Sequence, residues 1–207
     1  MALNQEQLAN NVKAIAEAAV AMEKQTCVPA EFAAAQCCLE SGYLAKAPGN
    51  NPFGIKIHSR PIPCLGTVPE RQTIKTKEYF SAAQAAAFRA RGKRIEPDID
   101  PAGKPVVKNG KTRYTVWDEF CCYPDLKVAF LDYANLLMTG KHFKASWERF
   151  RQHGDRNRYI TEMAKVYATD PQYADKIRQL IGGKRLSAAL AQARRPKQHS
   201  PAPNHSE

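Results

Sequence analysis

Apolar residues recur at steps of three and four positions near the start of the chain. The residues that follow this spacing are Leu8, Val12, Ile15, Ala19 and Met22. The spacing places them on one face of an α-helix, where they can pack against other elements. Asn4 precedes the pattern and is a residue type that caps helix starts. The sequence therefore predicts an amphipathic first helix that begins after Asn4.

A second helix is predicted from Pro29 to a stop near Gly42. Proline suits the first turn of a helix, and glycine commonly ends one. The apolar positions between them are Phe32, Ala35 and Leu39. Glu40 follows at the carboxyl end of this helix, where the negative end of the helix dipole disfavours a charged carboxylate.

The middle of the chain departs from helical spacing. Residues 47–66 are rich in Pro, Gly and Asn, which predicts a loop. Residues 73–80 alternate in part and contain β-branched side chains, which predicts a strand. Ser81 is then suited to cap a short Ala-rich helix over residues 82–91.

A β-hairpin is predicted around Asn109-Gly110. The flanking segments, 106–107 and 112–116, are composed of β-forming residues. Asn-Gly between such segments is typical of a two-residue hairpin turn. Residues 92–105 are polar and Pro-rich, so we interpret them as an insertion that contributes nothing to the core.

The second half of the chain returns to helical spacing. Helices are predicted from Pro124 to Gly140 and over residues 142–152, 157–167, 171–181 and 186–193. Asp170 and Pro171 are residue types found at helix starts. Residues 194–207 are basic, polar and Pro-rich, which predicts a disordered tail.

These elements predict one domain over residues 1–193, followed by the tail. The chain has 207 residues, of which 43% are hydrophobic, and this suffices for a single core. The predicted fold class is mainly α (α+β), a helical domain with a small β-hairpin lobe. Residues 92–116 form the insertion and hairpin of that lobe.

The charge of the chain is strongly positive. It contains 31 Lys and Arg against 20 Asp and Glu, a formal net charge of +11. Such a field attracts polyanions but does not distinguish nucleic acid, anionic lipid and anionic wall polymers. The first residues lack the features of a signal peptide, and no apolar run approaches the roughly 20 residues that span a bilayer. We therefore expect a soluble protein, without a membrane span, that is synthesised in the cytoplasm.

The six cysteines do not show metal-ligand spacing. They are Cys27, Cys37, Cys38, Cys64, Cys121 and Cys122. None forms the Cys-x-x-Cys pair that closes on a zinc ion. We expect mainly buried free thiols, with a disulfide as the alternative, and we predict neither a metal site nor a cofactor.

Four motifs, in this order along the chain, resemble glycoside hydrolase family 73, the peptidoglycan N-acetylglucosaminidases. The first is AAQCCLESGYLAKAPGNNPFGIK, from Ala34 to Lys56. The others are TKEYF at 76–80, DYANLL at 132–137 and YATDPQYADKIRQLI at 167–181. The resemblance extends over roughly residues 8–181 and implies a lysozyme-like fold.

The resemblance also implies an activity and its catalytic residues. The expected reaction is cleavage of the β-1,4 bond between N-acetylglucosamine and N-acetylmuramic acid in peptidoglycan. Glycoside hydrolysis requires a proton donor and usually a second carboxylate. Glu40 is expected to be the acid and Glu78 the second carboxylate, while the Tyr133 hydroxyl positions the N-acetyl group or a water molecule. The carboxylates that compete with Glu78 are Glu70, Asp118 and Glu119.

The loop after Glu40 supplies the candidate substrate-binding residues. They are Tyr43, Asn50, Asn51 and Phe53. The two asparagines are also suited to a structural role, because their side chains hydrogen-bond neighbouring backbone in turns. The sequence departs from the family pattern at Leu44, where glycine is common, and at Pro52, where leucine is common.

Three other activities remain as alternatives. A lytic transglycosylase uses a helix-borne glutamate on the same fold, and a wall-binding or assembly module would bind without cleavage. A nucleic-acid binder is disfavoured because no recognised motif accompanies the charge. We expect a monomer that binds glycan strands and anionic wall polymers and no nucleic acid. We expect it to act at the bacterial wall after release, as an endolysin, or after delivery, as an effector.

Overall fold

The computed structural model describes residues 3–167 and 170–196. The described part contains eight α-helices: α1 (Gln5–Thr26), α2 (Ala30–Ser41), α3 (Ala82–Ala90), α4 (Leu126–Thr139), α5 (Lys144–His153), α6 (Arg156–Tyr167), α7 (Tyr173–Gly182) and α8 (Lys184–Arg194). Four strands form one sheet: β1 (Glu70–Phe80), β2 (Ile95–Pro97), β3 (Val107–Lys108) and β4 (Lys111–Cys122). The predicted fold class, helical with a small β lobe, is confirmed.

Helix α2 lies at the centre of the helical part. Every residue from Phe32 to Cys38 is buried, and α2 packs against α1, α7 and α8. Five of these seven residues are alanines or cysteines, whose small side chains allow close approach of neighbouring helices. A helix that is buried on all sides is fixed by its neighbours, so α2 is a rigid support for the residue at its end.

The starts of two helices are capped as the sequence predicts. The Asn4 side chain accepts a hydrogen bond from the Gln7 backbone, and the Gln7 side chain accepts one from the Asn4 backbone. Ser81 and Gln84 form the same reciprocal arrangement at α3. These capping boxes satisfy backbone N–H groups that the first helical turn leaves without partners.

The sheet is antiparallel and its strands are ordered β1-β4-β2, with β3 paired to β4. β1 pairs with β4 over the whole length of β1, from Glu70 opposite Cys122 to Phe80 opposite Thr112. The hairpin between β3 and β4 has the predicted Asn109-Gly110 turn, with φ of 51° and 70°. Positive φ at both turn residues matches the right-handed twist of the strands.

Three elements differ from the sequence prediction. β4 extends to Cys122, because its second half pairs with β1 on one side and with the segment around Lys56 on the other. The segment 92–105 contains β2, which pairs with β4 and buries Ile95. α7 begins at Tyr173, since Asp170 accepts from the Gln172 backbone in a turn before the helix.

Two further expectations concern the end of the chain and the membrane. Arg194, assigned above to the tail, is the last residue of α8, and residues 197–207 lie outside the described part. In the residues described, no helix combines the length and the apolar character needed to cross a bilayer.

Candidate active site

Glu40 lies at the exposed carboxyl end of α2. It is the next-to-last residue of the helix, which stops where Gly42 adopts a left-handed conformation with φ of 58°. The predicted position of Glu40 at a helix end is therefore confirmed. The buried helix fixes the backbone of Glu40, while the carboxylate reaches solvent.

A groove of about 210 Å³ opens beside Glu40. Its walls come from the end of α2, the loop that follows and the strands β1 and β4. The lining residues are Glu40, Lys46, Pro48, Asn51, Pro52, Phe53, Gly54, Ile74, Thr76 and Phe120. The groove thus combines one carboxylate and one lysine with apolar walls, and the Thr76 hydroxyl has no partner among the described residues.

Tyr173 holds one oxygen of Glu40. Its hydroxyl donates to Glu40 Oε1 at 2.7 Å, and Gln36 Nε2 donates to the Tyr173 hydroxyl at 2.8 Å. Burial raises the pKa of Tyr173 well above its ordinary value, and the neighbouring Glu40 raises it further. Tyr173 is therefore protonated at neutral pH and is available as a hydrogen-bond donor to Glu40.

Tyr133 lies beneath the groove. Its side chain is 0% exposed, stacks on Phe53 with ring centroids 3.9 Å apart, and donates its hydroxyl to Gln36 Oε1. Burial raises the pKa of Tyr133 well above the ordinary range. The Tyr133 hydroxyl does not reach the groove surface, because the ring is covered by Phe53 and the hydroxyl is hydrogen-bonded to the buried Gln36.

Glu78 lies on the face of β1 that includes Ile74 and Thr76. Side chains two residues apart on a strand share a face, and Glu78 is about 7 Å further along the strand than Thr76. Glu78 is exposed, lies opposite Tyr114 on β4 and has no ion pair among the described residues. The structure therefore places Glu78 on the groove side of the sheet, beyond the residues that line the groove.

The competing carboxylates have different surroundings. Burial raises the pKa of Asp118, but the hydrogen bond from Lys56 and further contacts from Lys93 lower it overall. Hydrogen bonds from Lys93 and Arg71 lower the pKa of Glu119. Both carboxylates are engaged in ion pairs, whereas Glu70 is exposed at the start of β1.

The asparagines after Glu40 hold the loop in place. Asn51 is buried, donates to the backbone of Ile55 and Cys121 at 2.9 Å, and accepts from Ile55 at 2.9 Å. Asn50 donates to the Tyr123 backbone at 3.0 Å. These contacts fit a structural role for both asparagines in the loop.

Tyr43 is not among the residues that line the groove. It has a φ of 59°, and its backbone carbonyl accepts from Asn11 Nδ2 on α1 at 2.7 Å. Burial raises the pKa of its phenol, while Arg185 on α8 lowers it. Tyr43 thus lies toward α1 and α8, and the structure does not bring it together with Glu40.

One group of potential metal ligands occurs in the described residues. His58, Cys121 and Asp132 offer ligand atoms within 4.8 Å of one another. Asp132 is fully buried and already accepts from Arg60 at 3.0 Å and from the Tyr123 hydroxyl at 2.7 Å. The Arg60 guanidinium already neutralises this carboxylate. We therefore interpret these three residues as contacts that hold the loop around His58 in place, and not as a metal site.

A larger cavity, of about 340 Å³, lies between α2, α6 and α7. Its carboxylate, Glu31, is engaged by Arg156 and Arg194. None of the residues predicted for catalysis lines this cavity. Of the three residues predicted for catalysis, Glu40 lines the groove described above, whereas Glu78 and Tyr133 are not among its lining residues.

Tyr173 and Gln36 were not selected from the sequence, although both lie within quoted motifs. Tyr173 and Glu40 are separated by 133 residues, and Gln36 and Tyr173 by 137. Hydrophobic spacing marks both positions as core. The one available signal was that Gln36 is the single polar residue within the otherwise apolar run of residues 32–39.

Comparison with solved structures shows similar folds. The catalytic domain of the autolysin Auto from Listeria monocytogenes is 22% identical, with a TM-score of 0.59 over 93% of this chain and 90% of that one. A mutant peptidoglycan hydrolase from Sphingomonas sp. A1 is 23% identical, with a TM-score of 0.55 over 89% and 99%. The glycoside hydrolase domain of FlgJ from Salmonella typhimurium is 19% identical, with a TM-score of 0.55 over 89% and 91%. These likenesses show the lysozyme-like fold.

Comparison of the sequence gives the family. A search of the curated proteins found no match. A model of the glucosaminidase family, described as mannosyl-glycoprotein endo-β-N-acetylglucosaminidase, matches residues 16–186. This match covers most of the chain and includes Glu40, Glu78, Tyr133 and Tyr173. The chain therefore belongs to the glucosaminidase family, glycoside hydrolase family 73, and is a glycoside hydrolase.

Proposed function

We propose that this enzyme cleaves the β-1,4 bond between N-acetylglucosamine and N-acetylmuramic acid in peptidoglycan. The observation that carries the proposal is the position of Glu40, on a rigid buried helix, at the wall of a groove and in contact with Tyr173. The Listeria and Sphingomonas relatives, an autolysin and a peptidoglycan hydrolase by name, support peptidoglycan as the substrate.

Glu40 acts as the general acid in this proposal. Its proton passes to the glycosidic oxygen as the bond from that oxygen to the anomeric carbon breaks, and positive charge develops on the sugar. The departing proton leaves a carboxylate on Glu40. The hydrogen bond from Tyr173 becomes stronger as this negative charge develops, so it stabilises the transition state more than the bound substrate.

Glu78 acts as the second carboxylate. Its exposure and its lack of an ion pair among the described residues leave it free to take a proton from a water molecule. That water then adds to the anomeric carbon and completes hydrolysis. The ion-paired Asp118 and Glu119 are less suited to this role, because protonation of either would break contacts with lysine or arginine.

The groove also suits an acid-bearing glycan. Lys46 lines it and is exposed, so its ammonium group is placed to attract the carboxylates of muramic acid or of the stem peptide. Phe53, Ile74 and Phe120 supply apolar surface for sugar faces. The net charge of +11 adds attraction to an anionic wall. We propose that the protein acts at the bacterial wall, as an endolysin or a delivered effector.

A lytic transglycosylase is the second candidate, because Glu78 lies beyond the residues that line the groove. Mass spectrometry of muropeptides released from purified sacculi separates the two reactions. Hydrolysis by the proposed route gives fragments with a reducing N-acetylglucosamine end. Fragments that end in anhydro-N-acetylmuramic acid would identify a transglycosylase. Fragments with a reducing N-acetylmuramic acid end would show that the enzyme hydrolyses the other glycosidic bond, the one after N-acetylmuramic acid. Binding to sacculi with no released fragments would indicate a wall-binding module.

A further inference from the structure

Gln36 is a buried polar residue one helical turn before Glu40. Residues four apart lie on the same face of a helix, and Gln36 is 0% exposed. Its amide joins two other helices: Oε1 accepts from Tyr133 on α4, and Nε2 donates to Tyr173 on α7 at 2.8 Å. Both ends of the amide are satisfied, and the partner at one end contacts Glu40.

The two ends of this amide impose a direction on the hydrogen bonds. Nε2 has only hydrogens to offer, so the Tyr173 oxygen must accept there. The single Tyr173 hydrogen then remains for Glu40 Oε1, at 2.7 Å. If the amide were reversed, its carbonyl would compete for that hydrogen. The observed orientation therefore commits the Tyr173 hydroxyl to Glu40.

The direction of these bonds favours one oxygen of Glu40 as the site of its proton. In a carboxylic acid the carbonyl oxygen accepts hydrogen bonds more strongly than the hydroxyl oxygen, and Oε1 accepts from Tyr173, so this contact favours the proton on Oε2. Among the residues that the structure describes, no group is hydrogen-bonded to Oε2, and Glu40 lines the groove. The transferable proton is thus kept on the oxygen that no protein group occupies.

We propose that Gln36 is a positioning residue that acts through Tyr173 to keep the acid proton on Glu40 Oε2. During cleavage the Oε2–H bond breaks and the glycosidic oxygen takes the proton. The carbon–oxygen bond of the glycoside breaks with its electron pair on the leaving oxygen. Glu40 becomes a carboxylate that still accepts from Tyr173. The inference rests on the proposed role of Glu40 as the acid.

A double-mutant cycle tests this inference. Gln36→Met keeps the length of the side chain and removes both hydrogen bonds, and Tyr173→Phe removes the donor itself. Each is measured on soluble peptidoglycan fragments by the formation of new reducing ends. We expect Gln36→Met to lower kcat about tenfold or more, with KM within about twofold, because the contact strengthens in the transition state. Loss of one preorganised donor commonly lowers kcat by about 10²–10³-fold. We therefore expect the loss of kcat in Tyr173→Phe to be at least as large as the loss in Gln36→Met.

The combined variant decides between positioning and general destabilisation. If Gln36 acts only through Tyr173, the Gln36→Met/Tyr173→Phe variant loses no more kcat than Tyr173→Phe alone. Independent losses that multiply, or a parental kcat in Gln36→Met, would overturn the inference. If Gln36→Met is unfolded at the assay temperature, Tyr133→Phe replaces it in the same cycle, with the same expected and contrary results.

A Glu40→Gln variant in the same assay separates the inference from the function on which it rests. An inactive Glu40→Gln enzyme, together with a parental kcat in Gln36→Met, would remove the positioning role and keep the proposed acid. An active Glu40→Gln enzyme would remove the proposed acid itself and the inference with it.

Discussion

Among the residues that the structure describes, the protein contacts the carboxylate of Glu40 at one oxygen, through Tyr173. This one-sided contact matches the needs of a general acid, which must be oriented and yet free to contact a leaving group. Glu40 could be chosen from the sequence because its neighbours form a dense motif. Tyr173 and Gln36 could not, because hydrogen bonds between residues more than 130 positions apart leave no mark on local spacing.

The role of Glu78 is tested by Glu78→Gln with Glu70→Gln as the matched control. Both residues are exposed glutamates on β1, so neither change should alter the free energy of unfolding by more than about 0.5 kcal/mol. We expect Glu78→Gln to lower kcat by about 10²-fold or more, because water loses its base. Glu70→Gln should keep the parental kcat. If the two variants had equal kcat, Glu78 would not be the base that activates water.

At the scale of elements, the groove depends on the loop between α2 and β1. Asn51 ties the start of this loop to β4, and Asp132 ties His58 and Arg60 to α4. The sequence identified the loop from its composition and its two asparagines as candidates for a structural role, but it did not identify the partner of Asn51 on β4 or the role of Asp132. The second half of β4 was also missed, because burial on both sides of Phe120 and Cys121 removes the alternation that marks a half-exposed strand.

Replacement of Asp132 by alanine should destabilise the fold. The carboxylate is 0% exposed and accepts from Arg60 and Tyr123, so its removal leaves a half-buried guanidinium without its partner. Breaking a buried ion pair commonly costs about 3–5 kcal/mol. Denaturant unfolding measures the change, with Asp175→Ala as the control, since Asp175 is 71% exposed in its pair with Arg178. Equal stability of the two variants would contradict the anchoring role.

At the scale of the whole molecule, the buried helix α2 joins the core to the groove. Helical periodicity and end signals were sufficient to predict the class and order of the helices, because most of the helices bury one apolar face and α2 lies between a proline and a glycine. The groove was not predictable from periodicity, since it forms where the end of α2, its following loop and the β1–β4 ladder meet. Only the motifs indicated that these separate segments come together.

The most direct test of the central claim is the rate at which Glu40→Gln releases soluble muropeptides from purified sacculi. The exposed Glu17 on α1 supplies the matched control, Glu17→Gln. Thermal unfolding of all three proteins shows that each is folded at the assay temperature. Because the amide of glutamine cannot donate an acidic proton, we expect the rate to fall by about 10²–10⁴-fold in Glu40→Gln and to stay at the parental value in Glu17→Gln. A folded Glu40→Gln enzyme that releases muropeptides at the parental rate would contradict the assignment of Glu40 as the acid.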